Sequence, residues 1–186
     1  MARPRDPAVD RAVVEACVEL LDEVGRAGLS RAAIAQRAGV GAPTLNRRFG
    51  SVEEVLVAVA SSRPAQPPLP ADVDSLRGHL VAQLTRTARA FAAGGVRRPA
   101  AELLAAAAGD DRVQQALQET LAEVRAEGLR WVERARAAGE VRADVDGETV
   151  LDLVTGAAYY RLLWRGEVLT EDEVEPLVDA VLRGLR

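Results

Sequence analysis

The stretch Leu29–Val55, LSRAAIAQRAGVGAPTLNRRFGSVEEV, decides how the rest of the chain is read. It predicts two short helices joined by a tight turn and followed by the start of another helix. Ser30 is placed to N-cap the first, its hydroxyl accepting one of the backbone N–H groups that a helix start leaves unpaired. Ile34, Ala35 and Ala38 give that helix a small apolar face. Gly39 supplies a backbone that tolerates positive φ where the chain must turn, and Val40 plugs the turn. Pro43 falls in the first turn of the next helix, where a missing N–H costs nothing. Leu45 and Phe49, four apart, face inward, leaving Gly41, Ala42, Thr44, Arg47 and Arg48 outside.

This is the pattern of a helix-turn-helix whose second helix is free to enter a DNA major groove. Charge points the same way. Leu29 to Ser51 holds four arginines (Arg31, Arg37, Arg47, Arg48) and no acid, in a chain of net charge −4. A local basic patch on an acidic protein is an electrostatic footprint for phosphate. The plainer alternative is a helical hairpin with a glycine turn and solvated arginines.

The segment also resembles the DNA-binding domain of the TetR family of transcriptional regulators. The resemblance is carried by Ile34-Ala35-Gln36, Ala38-Gly39-Val40, Pro43-Thr44-Leu45, Phe49 and the helix start from Ser51 to Leu56, and covers about residues 8 to 60. Three positions depart from the family pattern. Asn46 stands where a tyrosine is usual, Val52 where a lysine is usual, and Gly41 where Ser or Thr often follows the turn valine. Asn46 can still hydrogen-bond a phosphate or a base edge, and Val52 cannot. Arg47 and Arg48 can compensate, because guanidinium grips phosphate with two hydrogen bonds.

Around this stretch, 186 residues suit one or two small domains. With 48% hydrophobic but only 3% aromatic content, Ala, Val and Leu fill the core, which favours packed helices. All 24 basic residues are arginine. The opening MARPRDPAVD lacks the apolar core of a signal peptide, and no run approaches the roughly 20 apolar residues of a membrane span. The lone Cys17 permits no intramolecular disulfide, and its place on an apolar helix face suits a buried thiol. A cytoplasmic protein without a membrane partner is the expectation.

Asp6 and Pro7 predict the start of the first helix, and Val13, Cys17, Leu20 and Val24 form its apolar stripe up to Gly25. Ser51 and Glu54 predict a capping box for a fourth helix with Val55, Leu56 and Val59 inward. Ser61 to Ala71 (SSRPAQPPLPA) is the one clear break. It separates an expected helix-turn-helix domain, residues 1–62, from an expected ligand-binding and dimerisation domain, residues 72–186. Helices are predicted from about Ser75 to Ala93, from Pro99 to Gly109, and from Asp110 to Gly139. The last carries Val113, Leu117, Leu121, Val124, Gly128, Trp131 and Ala135 on one stripe. Gly128 there implies a close neighbour or a bend over a cavity, since glycine costs about 1 kcal/mol in a helix relative to alanine.

Asp146 predicts the cap of a helix to Trp164 with two stripes. One is Val150, Leu153, Ala157, Tyr160 and Trp164; the other is Leu151, Val154, Ala158 and Leu162. A helix apolar on so much of its circumference is covered on more than one side. Thr170 and Glu173 predict a further capping box, before Val174, Leu177, Val178, Val181, Leu182 and Leu185. Paired with their copies, the last two helices would make a four-helix interface; Val150, Val154, Ala157, Leu162, Val174, Leu177, Val178 and Val181 are its candidates. Packing on the long helix alone is the monomeric alternative. Asp144 to Asp146 and Gly156 to Leu162 (GAAYYRL) resemble the effector domain of some TetR-family members, which implies a ligand cavity in each body and a dimer made by the last two helices.

Catalysis finds little support. His79 is the only histidine, so no histidine cluster holds a metal, and no nucleophile elbow or phosphate-cradling glycine motif occurs. No cofactor is expected. The candidate pocket residues are His79, Phe91, Trp131, Tyr159, Tyr160 and Arg161; as core filler the aromatics need no ligand. A buried Arg161 would need a partner such as Glu102, Asp152 or an anionic ligand.

The sequence thus predicts an all-α homodimeric regulator, most simply a repressor released from a palindromic DNA operator by a small-molecule inducer. Thr44 and Arg48 are the expected base contacts. Ser30, Arg31, Asn46 and Arg47 are the expected phosphate contacts, with Ala42 and Pro43 on the same face. The rival is a helical ligand-binding or interaction protein whose head has lost DNA affinity.

Overall fold

The computed structural model describes residues 6–62, 69–70 and 73–185. Residues 63–68 and 71 of the proline-rich break, and residue 72 at the expected start of the second domain, lie outside the described residues. Among the described residues the regular structure is helical throughout: α1 Pro7–Val24, a 3-10 turn Arg26–Gly28, α2 Arg31–Arg37, α3 Ala42–Arg48, α4 Val52–Ser61, α5 Leu76–Ala92, α6 Arg97–Ala107, α7 Asp111–Ala137, α8 Gly147–Tyr159, a π-helical turn Tyr160–Arg165, and α9 Glu171–Gly184.

The helix starts follow from their caps. Asp6, Ser30, Ser51, Ser75 and Asp146 each accept a backbone N–H two or three residues on, at 3.0–3.2 Å. Glu54 answers Ser51 one residue early, its carboxylate accepting from the Gly50 N–H at 2.7 Å. Thr170 and Glu173 form the full reciprocal box.

Packing divides the described residues into two units. Residues up to 62 pack with 95–120, and 69–94 pack with 121–185. α7 contributes its first residues to one unit and the remainder to the other.

In the first unit α1 packs against α2, α4 and α6, and α2 against α3. Val13, Cys17, Leu21, Ile34, Leu45, Val55 and Leu56 are the centre of its core. α6 and the start of α7 close that core with Ala106, Ala107, Val113 and Ala116. Thr120 donates its hydroxyl to the Ala60 carbonyl at the end of α4, at 2.8 Å. Cys17 is fully buried, and burial pushes its thiol up to about 12, so it stays protonated and inert. Val24, expected on the inner stripe of α1, is the helix's last residue and is 47% exposed.

In the second unit α5 packs chiefly on α9, and α8 on both. Leu76, Leu80, Leu84, Val132, Val150, Val154, Leu162, Val174 and Val178 are buried between them. Arg77 and Arg89 on α5 pair with Asp179 and Glu171 on α9. A Cβ at Gly128 would stand 2.9 Å from Leu151 Cδ2, so this glycine lets α8 press a leucine onto α7. No helix among the described residues is long and apolar enough to cross a membrane.

Candidate nucleic-acid interface and body cavity

The turn between α2 and α3 is built as its residues dictate. Gly39 takes φ +66°, and the Val40 N–H closes onto the Ala35 carbonyl at 3.0 Å. α3 then starts at Ala42 and Pro43 with no side-chain cap from Gly41. Leu45 anchors it in the core, and Ala42, Pro43, Asn46 and Arg47 are exposed, with Thr44 half-buried. Ser30 is spent in part on capping α2.

The four arginines of this region have different surroundings. Arg37 is held by Glu19 and Glu23 of α1 at 3.1 and 2.6 Å. That hydrogen-bonded pairing holds the Glu23 carboxyl below the usual range. Arg48 turns back to α1, where it donates to the Asp6 carbonyl at 2.9 Å and pairs with Asp10. Its side chain is only 15% exposed. Arg48, expected as a base contact, is here tied to α1: the local run has no acid, but α1 brings one from 38 positions earlier. Arg31 donates to Asn46 Oδ1 at 3.1 Å and to the Gly50 carbonyl at 2.9 Å, bracing the start of α2 against the end of α3. Arg47 makes one long contact, 3.3 Å to Thr44 Oγ1. Neither Arg31 nor Arg47 pairs with a carboxylate among the described residues. A phosphate backbone meeting this face therefore finds two uncompensated cations and a row of hydrogen-bond donors.

The second unit contains a cavity of about 370 Å³. His79 and Trp131 line it, their rings stacked 5.7 Å apart, and Arg134 lies 4.9 Å from the Trp131 ring centre. His79 is 3% exposed, and its Nδ1 has no hydrogen-bond partner among the described residues. Burial pushes its imidazole below the ordinary value, so it is neutral near pH 7. Arg86 and Glu127 add one charge of each sign, and Leu69, Pro70 and Val73 an apolar rim.

Residues 13–59 match the family described as "Bacterial regulatory proteins, tetR family", and residues 70–181 match "Tetracyclin repressor-like, C-terminal domain". The chain belongs to the TetR family of transcriptional regulators. It is 28% identical, over 99% of this chain and 93% of the relative, to an uncharacterized HTH-type transcriptional regulator of Bacillus subtilis, YdeS. The crystal structure of the TetR family transcription regulator SCO0332 is 28% identical, with 96% of this chain and 98% of that one covered and a TM-score of 0.64. The regulator FadR from Bacillus subtilis, solved in complex with stearoyl-CoA, shares the fold at a TM-score of 0.75 and 14% identity, covering 95% and 99%.

Within this TetR-family body, the expected pocket residues divide. His79 and Trp131 meet at the cavity, and Phe91 and Tyr159 pair edge-to-face with each other instead, 6.2 Å apart. Tyr160 is 56% exposed and does not line this cavity. Arg161 is half-buried and, of the acids, reaches Glu173 at 3.4 Å rather than Glu102 or Asp152. Arg86 and Glu127 were not legible as cavity residues, since single charges on amphipathic helices read as solvated faces. The expected dimer residues also divide. Val150, Val154, Leu162, Val174 and Val178 are buried within the protomer. The outer face is the other stripe of α8 and its extension: Leu153, Ala157, Tyr160, Trp164 and Val168, with Leu177 and Val181 half-buried on α9.

Proposed function

We propose that this regulator is a homodimeric repressor that leaves a palindromic operator when a small molecule enters the body cavity. The observation that carries the ligand response is the buried His79, whose Nδ1 lacks a partner among the described residues, beside an open volume. A buried polar atom left unpaired costs roughly 1–3 kcal/mol, which a ligand hydroxyl or amide would return. At roughly 30 Å³ per water-sized group, the cavity holds about a dozen such groups, a compact ligand. The FadR relative was solved with an acyl-CoA, which supports a ligand site in a body of this fold while leaving the ligand's chemistry open.

Dimerisation is supported by the exposed stripe Leu153, Tyr160 and Trp164, which a second copy would cover. Two recognition helices would then enter major grooves about 34–36 Å apart, or a multiple of that. A ligand that favours another head spacing weakens operator binding, and by linkage the operator weakens the ligand by the same factor. The cytoplasm is the expected compartment for such a protein.

The test is selection of genomic fragments by the purified protein against excess competitor DNA at physiological salt. A small-molecule screen then scores release of the enriched operator. We expect a palindrome, and a releasing compound that fails on His79→Leu while that variant keeps operator affinity. Equal release of both proteins would remove the cavity from the reading. A folded dimer that enriches nothing would favour the rival, a ligand-binding or interaction protein with a degenerate head, and Gly41, Asn46 and Val52 would be its cause.

A further inference from the structure

We infer that Arg47 is the residue of α3 that reads a base, and that the base it reads is guanine. The inference rests on operator recognition as read above. It begins with what the other polar groups of α3 are already doing. Arg48 is tied to the Asp6 carbonyl and paired with Asp10, and its side chain is mostly covered. Reaching a base would expose Asp10 unpaired beside DNA phosphate, so Arg48 is a brace for α3 on α1. Arg31 is held by Asn46 Oδ1 and the Gly50 carbonyl. An arginine can only donate, so the Asn46 atom facing it is the oxygen, and the amide NH2 is the group Asn46 can offer a partner. Thr44 accepts from Arg47 at 3.3 Å, which leaves its hydroxyl hydrogen to donate.

The unengaged N–H and O–H groups make this helix mainly a donor face, with the Thr44 and Asn46 oxygens each already accepting one bond. That selects among base edges. Adenine presents an acceptor and a donor side by side in the major groove, and an asparagine reads it by offering both. Asn46 already has one lone pair of that acceptor bonded to the Arg31 guanidinium, which leaves it a weaker acceptor for adenine. Cytosine presents a donor, which meets this face as a mismatch. Guanine presents two acceptors, N7 and O6, which the two parallel N–H groups of a guanidinium match. Arg47 is exposed and lacks a carboxylate partner among the described residues. Asn46, with its NH2 outward, suits a phosphate oxygen, which accepts from any donor regardless of sequence.

The experiment uses the full-length protein and double-stranded DNA selected from a random library against competitor. Enriched half-sites should contain a guanine at a fixed position. Replacing that guanine with 7-deazaguanine, which lacks the N7 acceptor, should weaken binding by about tenfold. Arg47→Ala should lose a similar factor on the selected site and be indifferent to the replacement. Arg48→Ala should melt at a lower temperature and keep the guanine preference. Arg47 is solvent-exposed, so an unchanged melting transition confirms that Arg47→Ala is folded. Enriched half-sites without a guanine, or a 7-deazaguanine effect of the same size in wild type and Arg47→Ala, would overturn the assignment and leave operator recognition standing. No enrichment at all from folded protein would overturn both.

Discussion

The two units of this protein differ in how far each satisfies itself. In the head, helices α1 to α4 close their core with residues from α6 and α7, and three of the four arginines around the turn already have partners: Arg37 with Glu19 and Glu23, Arg48 with Asp10, and Arg31 with Asn46 and Gly50. In the body, Leu153, Tyr160, Trp164 and Val168 stand in solvent, Trp164 at 83% exposure, and His79 is buried with a nitrogen unpaired among the described residues. A head of this kind needs nothing but DNA. A body of this kind is incomplete as one bare chain, and what it lacks, an apolar cover and a small polar occupant, is what a second copy and a ligand would provide.

The contrast is broken most severely at the exposed stripe. Leu153→Arg with Trp164→Arg places two charges where the second copy would sit, without touching a buried residue. The expected outcome is a folded monomer by sedimentation. Its operator affinity should be lower by about 10²–10⁴, the avidity lost when one half-site must bind alone. A variant that remains dimeric would show that another face joins the copies.

The head should break at Gly25. Its backbone sits at φ +69° and ψ 178°, a region that side chains avoid. A Cβ there would lie 2.6 Å from Glu102 Oε1 and 2.9 Å from Arg98 Nη2. Arg98 in turn donates to the Asp22 and Glu23 carbonyls at 2.8 and 2.9 Å, closing the end of α1. Gly25→Ala should cost about 3 kcal/mol, combining backbone strain with the loss of that closure. A urea midpoint within error of wild type would mean that α6 does not hold α1 as described.

The same contrast explains what the sequence reveals. Head signals are local: Asp6, Ser30 and Ser51 cap their own helices, and Gly39 turns where a positive φ is required. The failures in the head come from partners distant in sequence, as when α1 returns Asp10 to Arg48. In the body, periodicity finds both stripes of α8 but not which one faces out, because spacing shows that a face is covered and never by what. Leu151, Val154, Ala158 and Leu162 are covered by the protomer itself, and Leu153, Tyr160 and Trp164 are not. The π-helical turn at Tyr160–Arg165 has no sequence marker of this kind, and it carries Tyr160 and Trp164 on the exposed side.

The smallest predicted effect separates the units by pH. Burial is the main cause of the lowered pKa of His79; Glu127 favours the charged form, and Arg86 and Arg130 act with burial against it. An unfolded histidine takes up its proton near pH 6.5. Below that pH the unfolded chain binds a proton that the folded chain refuses, so stability falls as pH falls, until the folded pKa is passed. Glu23 works in the same sense, over a lower pH range. Its carboxyl is held low by Arg37, so the stability it contributes is present above the ordinary carboxylate range and is lost only as pH drops through the lower folded value. The head's titration therefore lies below about pH 4.5, and the body's begins near pH 6.5. Between pH 7.5 and 5.5, the wild-type urea midpoint should decline and that of His79→Leu should decline less. Parallel declines would mean that the buried imidazole finds a proton-accepting partner in the folded protein, and the cavity would then lose its unpaired nitrogen.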